Sequence, residues 1–139
     1  MAKLPLHHLD LSVSDLELSG SFYERLLTHF GYQRVDYSTP GEPEGFDWLA
    51  PDNVGRFSIG LYMAAEGTVH SRHTPGIHHI AFAAPSRAAV DDLYQVLTVM
   101  GVTILDPPSD YPKYEPSYYA VFFLDPDGIK LEYVFTLDE

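Results

Sequence analysis

LPLHHLDLSVSD (residues 4–15) and TPGIHHIAFAAPS (residues 74–86) each set a histidine pair inside a short apolar run. Aligned on the histidines, Leu6-His7-His8-Leu9-Asp10-Leu11 lies over Ile77-His78-His79-Ile80-Ala81-Phe82, and both show the alternation of a half-buried strand. The offset between His8 and His79 is 71 residues, about half the chain. A helical pattern follows each phrase, over Leu16–Phe30 and Ala88–Met100, and each ends at a glycine, Gly31 or Gly101, suited to a left-handed C-cap. Beyond each glycine come three strand-like runs: Tyr32–Tyr37, Gly45–Ala50 and Phe57–Ala64 in the first half; Val102–Leu105, Tyr118–Leu124 and Ile129–Phe135 in the second. Pro51-Asp52-Asn53 and Asp125-Pro126-Asp127-Gly128 supply turns at matching places. The pattern predicts an α+β chain built as βαβββ twice. Its 139 residues suit a single domain over 1–139, with a first module at about 4–64, a polar linker at about 65–75 and a second module at about 76–136.

Composition narrows the function. Twenty Asp and Glu against eight Lys and Arg give a formal charge of −12, which repels nucleic acid and anionic membrane surfaces. No stretch has the length of a membrane span, and the start lacks the features of a signal peptide, so a soluble cytoplasmic protein is expected. Cysteine is absent, which removes disulfides, thiolate ligands and a Cys nucleophile and leaves His, carboxylates, Tyr and Ser for any chemistry.

Strand parity predicts where the candidate residues point, because alternate side chains face opposite sides of a sheet. Leu9, Leu11 and Val13 form the helix-facing side of the first strand, so His8 and Asp10 face away; Ile80 and Phe82 do the same for His79. On the last strand Leu131, Tyr133 and Phe135 face the helix and Glu132 faces away. Read singly, His8 is a polar residue of a half-exposed sheet and Glu132 a solvated carboxylate. Together, two equivalent imidazoles and one carboxylate match the three-ligand set of an open catalytic metal site, with a borderline or hard ion. By parity His7 and His78 fall on the helix-facing side, satisfied by hydrogen bonds and not bound to metal.

The phrases HHLDLSVSDL (7–16), GIHHIAFAAPS (76–86) and FFLDPDGIKLEYV (122–134) resemble the vicinal oxygen chelate superfamily over about the full chain. This superfamily includes glyoxalase I, extradiol dioxygenases, fosfomycin-resistance enzymes and bleomycin-resistance-type binding proteins. The resemblance implies a cupped mixed sheet formed by paired βαβββ modules, with metal ligands at His8, His79 and Glu132, and a homodimer. It implies one divalent ion, Zn, Ni, Co, Mn or Fe.

Departures from the subfamilies shape the expectation. Where glyoxalase I carries a further ligand on the last strand of the first module, this chain has Ile59, Gly60 and Leu61. Phe122 stands where fosfomycin-resistance enzymes and ring-cleaving dioxygenases keep a Tyr, and Pro107–Pro116 contains no His. The expected activity is therefore a glyoxalase-like isomerase or lyase acting on a small substrate that chelates the ion through adjacent oxygens. An extradiol-type dioxygenase is the second reading, and a metal-free small-molecule binding protein of antibiotic type the third. Glu132 and Asp10 are the candidate proton carriers. The segment DYPKYEPSYYAVFF (110–123) offers Tyr111 and Tyr114 as substrate-binding residues, with Tyr118 and Tyr119 split between cleft and core. Trp48 and the linker residue His73 complete the candidate binding set, with core packing the other reading of Trp48 and a solvated loop that of His73, and Asp138 and Glu139 are expected in solvent.

Overall fold

The structure, a computed structural model, describes residues 3–36, 40–41 and 45–137. Tyr37, Asp138 and Glu139 lie outside them. The chain divides into two compact units, Met1–Thr68 and Val69–Glu139, with the division inside the predicted linker. Each unit is a βαβββ arrangement with a four-stranded mixed sheet, so the chain is α+β.

The first unit comprises β1 (His8–Val13), α1 (Leu16–His29), β2 (Gln33–Val35), β3 (Gly45–Leu49) and β4 (Ser58–Met63), with sheet order β1-β4-β3-β2. Asp15 starts α1 by accepting the Leu18 N–H at 2.9 Å, which satisfies one of the free donors of the first turn. The helix then buries Leu16, Phe22, Tyr23, Leu26 and Leu27. Burial of each large apolar side chain stabilises by about 1.5–3 kcal/mol. They face Leu11 and Val13 of β1, Trp48 of β3 and Ile59 and Leu61 of β4, all buried. Gly20 lets the sheet approach: a Cβ there would lie 2.6 Å from the Phe46 ring.

The second unit comprises β5 (His79–Ala83), α2 (Arg87–Met100), β6 (Ile104–Asp110), β7 (Tyr119–Leu124) and β8 (Lys130–Phe135), in the order β5-β8-β7-β6. Ser86 caps α2 through the Ala89 N–H at 3.0 Å, and Gly101 ends it at φ +74°, the left-handed conformation that a glycine adopts without steric cost. Val90, Leu93 and Leu97 are its buried stripe. On the same side of the sheet the Tyr119 hydroxyl donates to Asp91 at 2.6 Å, and Arg87 lies over the Tyr119 ring while pairing with Asp110.

Most predicted strands appear within a residue or two of their expected ends. Two differ more. β2 is only three residues long, and β6 runs through Pro107 and Pro108, where a loop was expected. Proline is tolerated there because β6 is the edge of its sheet and its register with β7 shifts between Asp106 and Ser109, where the two prolines fall. Among the described residues no helix is long and apolar enough to cross a membrane.

Candidate functional site

In the second unit, β5 and β8 run parallel with His79 opposite Lys130 and Ala81 opposite Glu132. The expected parity holds: Ile80 and Phe82 are less exposed than His79, Ala81 and Ala83. His79 Nε2 lies 3.2 Å from Glu132 Oε1. Glu132 is only 1 % exposed, so its carboxylate needs partners in place of water. The Tyr118 hydroxyl supplies one by donating to Oε2. Burial first, and then this hydrogen bond to Glu132, push the Tyr118 pKa well above the ordinary phenol value, so it stays a donor at neutral pH.

An aromatic group surrounds that carboxylate. Phe122 is the cross-strand neighbour of Glu132, and the Tyr111 ring meets Phe122 edge-on with centroids 5.5 Å apart. Tyr114 stacks on Tyr111 and approaches Tyr118 at 5.1 Å. The backbone holds them together, since Tyr111 N–H donates to Tyr118 O and Tyr118 N–H to Glu115 O, folding the β6–β7 connection back on itself. Tyr114 remains 57 % exposed and forms the outer rim. Lys130 sits over the Phe122 ring at 4.6 Å. His73 is exposed, its ring 6.2 Å from His78.

In the first unit, β1 and β4 run parallel with Asp10 opposite Gly60, and β3 places Asp47 opposite the same glycine. His8, Asp10 and Ser12 are exposed while Leu11 and Val13 are buried, as parity predicts. His8 Nε2 lies 3.9 Å from Asp10 Oδ2, a loose pair. Gly60 occupies in this sheet the place that Glu132 holds in the other: each lies on the last strand, two residues beyond the partner of its unit's second histidine. The missing side chain is replaced by carboxylates from both neighbouring strands. A Cβ at Gly60 would be 2.4 Å from an Asp10 oxygen and 2.7 Å from an Asp47 oxygen. Burial and then the Asp10 charge raise the Asp47 pKa, with His8 opposing and Asp36 adding to the rise.

Several expectations are corrected. Trp48, a candidate for substrate binding, is fully buried, and its indole N–H donates to Glu24 of α1 at 2.7 Å. It belongs to the core, because β3 turns its even-numbered side chains toward the helix. His7 and His78 do not pack on the helices. Each lies one residue before its strand, outside the pleat that sets parity, and both are exposed. Their ring nitrogens meet the next histidine: His7 Nδ1 lies 3.0 Å from His8 Nδ1, and His78 Nδ1 lies 2.7 Å from His79 Nδ1. Partial loss of hydration, followed by the nearby His79, Lys130, Arg72 and His73, lowers the His78 pKa. Among the described residues no group of three or more His, Asp or Glu side chains is gathered to hold an ion. Each unit instead contains a two-member arrangement, His8 with Asp10 and His79 with Glu132.

Sequence reasoning passed over Asp47 and did not single out Tyr118. Asp47 could be found only from the register that brings it beside Gly60. Tyr118 lies one residue before β7, outside the strand to which parity applies, and its signal in the sequence was its place in the Tyr-rich segment that leads toward Phe122, the cross-strand neighbour of Glu132.

A two-unit βαβββ chain with an imidazole and a buried carboxylate paired on parallel strands defines a recognisable class. The chain belongs to the Glyoxalase/Bleomycin resistance protein/Dioxygenase superfamily, whose family model matches residues 5–133. It is 33% identical to the uncharacterized protein YqjT of Bacillus subtilis, over 93% of this chain and 97% of that protein. A solved Bacillus halodurans structure is 30% identical, with a TM-score of 0.77 and coverage of 95% of this chain and 96% of that one. The fosfomycin resistance protein FosX of Listeria monocytogenes, solved with Mn(II) and 1S,2S-dihydroxypropylphosphonic acid, shares the fold at 19% identity and a TM-score of 0.70, covering 95% of this chain and 92% of its own.

Proposed function

We propose that this chain is a divalent-metal-dependent, glyoxalase-like enzyme of isomerase or lyase type, acting on a small substrate that presents two adjacent oxygens. The observation that carries the reading is the His79–Glu132 pair. Two donors sharing one ion at about 2.0–2.2 Å each are separated by about 3.0–3.4 Å, and His79 Nε2 and Glu132 Oε1 are 3.2 Å apart. The donor chemistry fits too: imidazole and carboxylate suit Zn, Ni, Co, Mn or Fe, and no thiolate is present to select a softer ion. His8, the equivalent of His79 in the first unit, is the third ligand in this proposal. FosX with Mn(II) and a 1,2-dihydroxy compound is consistent support from a relative in fold.

The bound ion supplies a Lewis acid that stabilises negative charge on substrate oxygen. The protein's own residues do the rest. Tyr118 holds one oxygen of Glu132, so the carboxylate presents the other in a fixed orientation. Tyr111, Tyr114 and Phe122 give a flat apolar wall that excludes water from the buried carboxylate and contacts the substrate's non-chelating part. Glu132 and Asp10 are the proposed proton carriers, with Asp47 beside Asp10 across Gly60 as the group that keeps negative charge concentrated there.

The test is turnover with a redox-inert ion. Protein loaded with Zn(II) should convert a 2-hydroxy-carbonyl or enediol-forming substrate without consuming oxygen. Oxygen uptake with catechols, seen only with Fe(II) or Mn(II) and abolished by His79→Ala, would contradict the isomerase or lyase reading and establish a dioxygenase.

A further inference from the structure

The second unit contains four Lys and Arg residues, Arg72, Arg87, Lys113 and Lys130. Arg87 is taken by Asp110 on the helix side of the sheet. Among the described residues, Lys113 and Lys130 have no carboxylate within ion-pair distance. Each stands instead over a ring of the aromatic wall, Lys130 Nζ 4.6 Å from the Phe122 centroid and Lys113 Nζ 5.0 Å from that of Tyr114. Phe122, Tyr111 and Tyr114 follow one another at 5.5 and 6.0 Å, so the row of rings has a positive charge at both ends. We propose that this row is a binding surface for an organic anion, with Lys130 contacting the charged group. The substrate of the metal reading above, on which this assignment rests, is then an organic acid with a flat apolar body.

Lys130 is the stronger member of the pair. It begins β8, which is an interior strand of its sheet, and it is half-buried there, where a charge needs compensation for the water it loses. Glu132 lies two residues further along the same face, but its oxygens go to Tyr118 and His79. The Phe122 ring covers one side of the Lys130 ammonium, which has three N–H donors, so donors are left for an acceptor. A cation beside an ion-binding carboxylate also repels a divalent ion, and negative charge on the substrate offsets that repulsion. On the other side of Phe122, its β6 neighbour Asp106 is exposed and disfavours an anion there, which directs the charged group toward Lys130. The formal charge of −12 acts in the same sense over the whole surface, so an anion is held only where local cations outweigh it. Lysine is a point charge without a forked geometry, so it selects charge and not the shape of one anion.

Benzoate, benzamide and phenylphosphonate are suitable probes, because they share a flat ring and differ in charge and in anion geometry. Their binding to the full chain, as purified and saturated with Zn(II), can be followed by NMR. Benzoate should bind about 10-fold more tightly than benzamide, with shifts at Lys130, Phe122 and Tyr111. Lys130→Met keeps an unbranched stem over Phe122 and should abolish that preference while Zn(II) stoichiometry stays at the wild-type value. Lys130→Arg should retain the preference, and Lys113→Met, at the exposed rim, should reduce it only about 2-fold. Tighter binding of benzoate than of phenylphosphonate would assign the charged group as a carboxylate, and the reverse order as a phospho group; either order supports an anion surface. The proposal is overturned if benzoate and benzamide bind the wild type equally, or if Lys130→Met keeps the preference. A preference that Lys130→Met removes in a chain that binds no Zn(II) would overturn the metal reading and leave the anion surface standing.

Discussion

Tyr118 and Glu132 are joined by a hydrogen bond that occupies one carboxylate oxygen and leaves the other 3.2 Å from His79. Tyr118→Phe should therefore weaken Zn(II) binding by about 10- to 100-fold, because the carboxylate loses the partner that orients it. Tyr119→Phe provides the contrast. Its hydroxyl bonds Asp91 of α2 on the other side of the sheet, so it should cost about 1 kcal/mol of stability and leave Zn(II) affinity unchanged. Equal effects of the two variants on affinity would remove Tyr118 from the site.

The same tyrosine should be visible in an alkaline titration. Burial raises the pKa of Tyr32, Tyr111, Tyr118 and Tyr133, and Tyr119 is raised first by its bond to Asp91. A raised folded-state pKa favours the native protein fully below the unfolded value of about 10, and that contribution is lost as pH rises beyond it. Phenolate absorbance should thus develop in two stages in the folded protein, and Tyr118→Phe should subtract one tyrosine from the later stage. A single stage near pH 10 for all tyrosines would contradict this.

Gly20 is required by Phe46. In Gly20→Ala the new Cβ would lie 2.6 and 2.9 Å from two ring carbons, so the ring must move. The expected loss is about 1–3 kcal/mol from overpacking, which outweighs the ~1 kcal/mol gain in helix propensity. Thermal unfolding measures the balance, and Phe46→Leu in the same chain should recover part of the loss. A higher melting temperature for Gly20→Ala alone would show that propensity wins.

Trp48 should matter to stability and not to ligands. Trp48→Phe removes the bond to Glu24 and leaves a void beside α1, at a cost of about 1–3 kcal/mol, while Zn(II) affinity stays at the wild-type value. A ligand that protects Trp48 fluorescence from quenching, or an affinity change in Trp48→Phe, would return this residue to the binding site.

Much of this arrangement was legible in the two histidine phrases. Their common spacing to Gly31 and Gly101 located both helices, and period-two alternation placed His8, Asp10, His79 and Glu132 away from the helices, as their exposure or pairing now shows for each unit. Parity failed at His7 and His78 because it applies only inside a strand, and each stands one residue before one. It was not applied to β3, where it would have sent Trp48 to the helix along with Phe46. Proline punctuation misled at β6, since an edge strand with shifted register accommodates residues that a central strand rejects. Asp47 was illegible because its proximity to Asp10 depends on two strand registers meeting at Gly60, a pairing that local pattern does not encode.

Metal stoichiometry tests the central claim most directly. Wild-type chain purified without chelator and titrated with Zn(II) should bind one ion per chain, and His8→Ala, His79→Ala and Glu132→Gln should each lose it, while His73→Ala keeps it. Undiminished occupancy in any two of the first three variants would contradict the site formed by His8, His79 and Glu132.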